Sequence, residues 1–74
     1  VLKNVSIPRD LKADSVFVSE LAAETEPMLG GAGRIFIRPS GTEPLMRILV
    51  EARDRKLMEE VANFLVNIIK ERYS

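Results

Sequence analysis

Seventy-four residues suffice for one small domain and not for two. The chain has no cysteine and no histidine, which excludes disulfides, thiolate metal sites and the usual zinc constellations. Eleven basic side chains balance eleven acidic ones, whereas general nucleic-acid binding rests on a basic excess that neutralises phosphates.

Residues Val1 to Ile7 read as a first strand, because Val5 and Ile7 alternate with polar Asn4 and Ser6. Pro8 removes a ladder donor and ends it, and a polar connection runs from Arg9 to Ala13. Asp14 or Ser15 is a candidate N-cap for a first helix. Phe17, Leu21 and Met28, with Val18 and Ala22, recur at helical spacing. Pro27 lies late in that run and costs an interior helix about 3 kcal/mol, so the helix is expected to stop near Thr25 or Glu26, or to kink into one last turn. Gly30, Gly31 and Gly33 then supply permissive backbone.

Arg34 to Arg38 reads as a second strand, with Ile35 and Ile37 on one face and Arg34, Phe36 and Arg38 on the other. After a loop from Pro39 to Leu45, Met46 to Arg53 reads as a third. Met46, Ile48, Val50 and Ala52 share one of its faces; Arg47, Leu49, Glu51 and Arg53 share the other. The short loop predicts an antiparallel hairpin. Asp54 is the expected N-cap of a last helix, marked by Leu57, Met58, Val61, Leu65, Ile68 and Ile69, with Phe64 beside the stripe. Glu51, Arg53, Asp54, Arg55 and Lys56 read as a solvated corner before it. The three methionines, Met28, Met46 and Met58, read as gap-filling core residues rather than metal ligands. The order β-α-β-β-α predicts an α+β layer, an antiparallel sheet with two helices on one face.

A domain this small buries only about 60% of the surface its unfolded chain exposes. With no disulfide or thiolate metal site to help, a partner surface such as other domains of the same polypeptide is the expected support. The start at Val1 rather than Met suggests an excised fragment, with residues 1–74 as one domain of a larger protein, though a trimmed or processed terminus would look the same. No apolar run approaches the roughly 18 residues of a membrane span. The N-terminus lacks a basic region followed by an apolar block. A cytoplasmic location without membrane partners is the expectation.

Chemistry concentrates in Arg38-Pro39-Ser40-Gly41-Thr42-Glu43-Pro44. A phosphate monoester carries nearly two negative charges and three strong acceptor oxygens. Arg38 offers a planar fork of donors at a strand end, Ser40 and Thr42 offer hydroxyls, and Gly41 lets backbone N–H groups approach closely. Pro39 and Pro44 restrict the loop, which lowers the entropy lost on binding. The same residue types are also ordinary turn chemistry, and residue types alone leave both readings open. The loop is not a P-loop, since the Walker lysine, the glycine spacing and a following helix are missing.

The segment Gly33-Arg34-Ile35-Phe36-Ile37-Arg38-Pro39-Ser40-Gly41-Thr42-Glu43-Pro44-Leu45-Met46-Arg47-Ile48-Leu49-Val50-Glu51-Ala52 resembles the C-terminal domain of the α-D-phosphohexomutases, and within them the bacterial phosphoglucosamine mutase branch. The order of elements extends the resemblance over essentially the whole chain. It implies a fold similar to the TATA-box-binding protein and a place as the fourth domain around a catalytic cleft. It also implies that Arg38, Ser40, Gly41 and Thr42 hold the phosphate of a sugar phosphate. Arg47 is a second candidate for that charge, and Glu43 shapes the loop or meets the sugar. The implied reaction interconverts glucosamine 6-phosphate and glucosamine 1-phosphate through a phosphoserine enzyme and a bisphosphate intermediate. Mg2+ and a sugar bisphosphate activator would belong to the whole enzyme and be bound by none of these residues. The other domains of the same chain are the implied partners, and the isolated domain is expected to be inactive. Two other readings stand beside this one. A phosphoglucomutase or phosphomannomutase can share much the same loop. A non-enzymatic α+β nucleic-acid or protein interaction domain is the other, but RNA-reading sheets stack bases on exposed aromatics; only Phe36 falls on the polar sheet face, and Tyr73 reads as a chain end.

Overall fold

Three strands, β1 (Leu2–Ser6), β2 (Arg34–Pro39) and β3 (Leu45–Glu51), form one antiparallel sheet in the order β1-β3-β2. Helix α1 (Ser15–Thr25) runs directly into a 3-10 turn over Glu26–Leu29, and α2 (Arg55–Arg72) closes the chain. The computed structural model describes residues 1–8, 15–31, 33–40 and 43–73. The connection over 9–13 and the candidate cap Asp14 lie outside the described residues.

Period-two alternation divides the sheet into a buried and an exposed face. Val5, Ile35, Met46, Ile48 and Val50 are buried on one side, while Asn4, Ser6, Arg34, Phe36, Arg38, Arg47 and Glu51 are exposed on the other. Both helices cover the apolar side. Helix α2 lies against β1 and β3, and α1 lies against β2. From α2 come Val61, Ala62, Leu65 and Ile69; Val18 and Leu21 come from α1 and Leu29 from the 3-10 turn. The predicted α+β architecture, with two helices on one face of an antiparallel sheet, is the one observed.

The caps follow from local chemistry. Asp54 sits in extended backbone and its Oδ1 accepts the Leu57 N–H at 3.2 Å, as an N-cap should. Pro27 does not stop the chain from coiling. The α-helix ends at Thr25, and proline occupies the first turn of the 3-10 segment, where a missing N–H is tolerated. Gly30 then adopts a left-handed conformation (φ 72°) and donates its N–H to the Pro27 carbonyl at 3.1 Å. At Gly33 the constraint is space. A Cβ there would lie 2.6 Å from the Glu51 carbonyl oxygen and 2.7 Å from the Leu29 Cβ.

Several expectations need correction. The third strand ends at Glu51, not Arg53, because its last partner on β2 is Arg34 and the ladder has nothing to pair beyond it. Instead, the Ala52 N–H donates to the Met58 sulfur at 3.1 Å, which starts the turn into α2. The first strand spans Leu2–Ser6 rather than Val1 to Ile7, although its flanks still bond to neighbours. Val1 accepts from the Val50 N–H, and the Ile7 N–H donates to the Pro44 carbonyl, both at 2.9 Å. The second strand gains Pro39.

Met28 is exposed (47%), and Leu29 takes the core position expected of it, because the winding changes at Glu26. Met46 is fully buried and Met58 packs against the core, so two of the three methionines fill it as expected. Phe64 is exposed on α2, whereas Tyr73, read as a chain end, is buried. Tyr73 continues the four-residue spacing Val61, Leu65, Ile69 by one step. Its ring meets Phe17 edge-on at 6.3 Å, and the Arg72 guanidinium lies 4.9 Å from the Phe17 centroid. These contacts tie the start of α1 to the end of α2.

Candidate functional site

The loop between β2 and β3 begins at Ser40 and ends at Pro44. Its ends are closed by the Ser40 N–H, which donates to the Leu45 carbonyl at 2.9 Å. Inside, the Glu43 N–H donates to the Ser40 Oγ at 3.3 Å, and the Leu45 N–H donates to the Glu43 carbonyl at 2.8 Å. Ser40 thus accepts a bond that shapes the loop, and its hydroxyl proton remains for an outside acceptor. Glu43 is exposed and serves the loop through its backbone on both sides. The Pro44 carbonyl takes the Ile7 N–H, which fixes the end of β1 beside the loop. Gly41 and Thr42, the other two residues expected to hold an anion, lie outside the described residues.

The ladder register decides what stands beneath this loop. Arg38 of β2 faces Arg47 of β3 directly, and both are exposed on the open face of the sheet. At the opposite end of the same hairpin, Arg34 faces Glu51. Opposed cross-strand charges favour a sheet and like charges disfavour it, each by about 0.2–1 kcal/mol. The loop end of the hairpin therefore carries the unfavourable arrangement. Asn4 of β1 stands on the other flank of Arg47 and brings no counter-charge. Among the described residues the one ion pair joins Lys3 to Glu59 at 3.4 Å, away from both arginines.

Below the arginines the open face turns apolar. Leu49 stands opposite Phe36 on one side and Leu2 on the other. Leu2, Phe36, Leu49, Arg38 and Arg47 line one open basin of about 360 Å³. Residue parity in the sequence had placed Phe36 and Leu49 on this face. Leu2 joins them, sharing the parity of Asn4 and Ser6; the alternation in β1 marks only its core side. Of the expected site residues, the structure brings Arg38 and Arg47 together and puts Ser40 at the mouth of their hairpin. Among the described residues no group of three or more His, Cys, Asp or Glu could hold a metal ion. None of the described helices is long and apolar enough to cross a membrane.

The fold and the loop define a class: a small α+β domain with one helix-covered sheet face and one open face that carries paired arginines beside the loop that opens at Ser40. The chain belongs to the family of the phosphoglucomutase/phosphomannomutase C-terminal domain, whose model matches residues 2–68. It is 44% identical over 71 residues to a phosphoglucosamine mutase of Natranaerobius thermophilus, an alignment that covers 95% of this chain and 16% of that protein. A phosphoglucosamine mutase of Azoarcus sp. (strain BH72) is likewise 44% identical over 71 residues, covering 93% of this chain and 16% of the relative. One of Clostridium beijerinckii is 40% identical over 77 residues, with 100% of this chain and 17% of the relative covered. The chain thus spans about a sixth of the length of the curated relatives it matches.

Proposed function

We propose that this domain grips the phosphate of a hexose phosphate in a phosphoglucosamine mutase, an enzyme that interconverts glucosamine 6-phosphate and glucosamine 1-phosphate. The observation that carries the reading is the facing pair Arg38 and Arg47 at the mouth of the Ser40 loop. Two like charges held side by side cost stability. A dianion between them removes the repulsion and gains charge-assisted hydrogen bonds from two guanidinium forks. The Ser40 hydroxyl adds a donor, and by residue type Gly41 and Thr42 complete the cradle.

The chain's own part in the reaction is to bind and orient. In a reaction that works on both ends of one sugar, the phosphate not being transferred must be held while the other reacts. A distal grip contributes through positioning, which supplies several kcal/mol when the reacting atoms are fixed in line. Phosphoryl transfer falls to groups elsewhere in the parent enzyme, and this domain alone is expected to show no mutase activity.

The test is Arg38→Ala in the full-length enzyme. The expected result is a fall in kcat/KM of about 100-fold, the scale of a lost charged hydrogen-bond pair. Unchanged catalytic efficiency would overturn the assignment. The family model also covers enzymes that act on glucose and mannose phosphates. The three relatives named above, at 40–44% identity, are phosphoglucosamine mutases and favour the amino sugar. Turnover of glucosamine, glucose and mannose phosphates by the same enzyme decides between them.

A further inference from the structure

The basin on the open sheet face has two halves of opposite character. Arg38 and Arg47 form one end; Leu2, Phe36 and Leu49 form the other. Leu2 is 60% and Phe36 39% exposed, so the apolar half is laid open to solvent rather than filled by this chain. An anion alone has no use for it. Small-molecule sites combine an apolar lining with a few polar groups that fix orientation, in volumes from roughly 300 Å³ upward. A basin of about 360 Å³ meets that description.

Geometry sets what would fit. Phe36 lies two residues before Arg38 on the same strand and face, a distance of about 7 Å along β2. Leu49 is its direct cross-strand neighbour, within about 5 Å. A phosphate between the arginines with its ester oxygen toward the apolar half would place the group it is esterified to above the Phe36 ring and Leu49. The ring presents a negative π-face, which attracts the weakly positive C–H groups on the flat side of a pyranose. Hydroxyls at the rim of such a sugar stay in solvent.

We propose that Phe36, backed by Leu2 and Leu49, is a platform for the ring of the phosphorylated sugar, and that this face distinguishes hexose phosphates from small phosphates. The proposal rests on the phosphate reading given above and adds a residue that positions the sugar body. A platform of this kind has a consequence for a mutase. Apolar contact is non-directional, so one ring surface can serve a sugar that presents first one end and then the other to the reacting groups. A hydrogen-bonding site built for one orientation would reject its reverse.

The experiment compares Phe36→Ala, Phe36→Tyr and Arg38→Ala in the full-length enzyme. The readouts are KM for the hexosamine phosphate and the inhibition constants of inorganic phosphate and glycerol 3-phosphate. For Phe36→Ala the expected result is a rise in KM of about tenfold, equivalent to the gain of an aromatic contact and its buried area. Inhibition by inorganic phosphate stays as in the parent, and Phe36→Tyr restores KM. Arg38→Ala weakens all three ligands, so failure of the phosphate grip is distinguishable from failure of the platform. Two results overturn the platform. One is an unchanged KM in Phe36→Ala. The other is a lowered melting temperature with inhibition by phosphate weakened in step, which would make this face a packing surface for another domain of the parent enzyme.

Discussion

The two faces of the sheet are made by the same strands and obey opposite rules. On the covered face Met46, Ile48 and Val50 are wholly buried and lie under α2. On the open face their immediate neighbours, Arg47 and Leu49, meet solvent in part or in full. One residue of β3 thus enters the core and the next faces the open side, where we propose that recognition takes place. On that proposal the difference teaches that this small domain separates two tasks that would conflict in one place. Burial wants apolar groups without vacancies; anion binding wants like charges held close, which by itself is destabilising.

That separation breaks most visibly if a covered-face residue is truncated. Ile48→Ala removes a fully buried side chain at the centre strand. The expected loss is about 2–5 kcal/mol, against a total stability of roughly 0.1 kcal/mol per residue for small domains. Chemical denaturation measures it. A loss under about 1 kcal/mol would show that this face is not where the fold is held.

A second, smaller effect lies at the entry to α2. Asp54→Ala deletes the bond accepted from the Leu57 N–H and is expected to cost about 1 kcal/mol. For a domain of this size that lowers Tm by roughly 4–8 °C. The sugar-phosphate affinity should not move, because Asp54 lies at the helix corner and the arginines at the far end of the hairpin. A change in affinity at constant stability would mean that the corner and the site are coupled.

The covered face was largely legible in the sequence. Alternation in the three strands and the helical spacing in α1 and α2 mark most of the buried residues, because each obeys a strict period; Leu29, Ala62 and Tyr73 go unmarked. Where periods change, the reading slipped. Met28 was preferred to Leu29 because the passage from α-helix to 3-10 turn at Glu26 leaves no mark except Pro27. Tyr73 reads as a chain end because a terminal aromatic resembles a tail until the next turn of α2 is counted. Strand ends were misplaced by one or two residues, since they depend on where the partner strand stops rather than on the strand's own composition. On the open face the types of Arg38, Ser40 and Arg47 were legible. Their juxtaposition was not, because register is a property of two strands and of the loop that joins them. Arg47 was therefore ranked second, and the structure sets it directly opposite Arg38.

The smallest expected effect has the opposite sign and tests the comparison most sharply. Arg47→Gln removes one member of the like-charged pair and keeps a long polar side chain over the open face. If the open face is held for recognition at the expense of stability, the variant is more stable than the parent by about 0.2–1 kcal/mol at low ionic strength. The gain should shrink at 1 M salt, where the screening length falls to about 3 Å. Inorganic phosphate should reverse the ranking. It stabilises whichever form binds it better, and the parent with both forks present gains more than the variant. Denaturation at low salt, with and without phosphate, gives all three comparisons in one series. A variant less stable than its parent under every condition would mean that the stem of Arg47 contributes mainly by covering apolar surface, and that the two faces share the work of holding the fold.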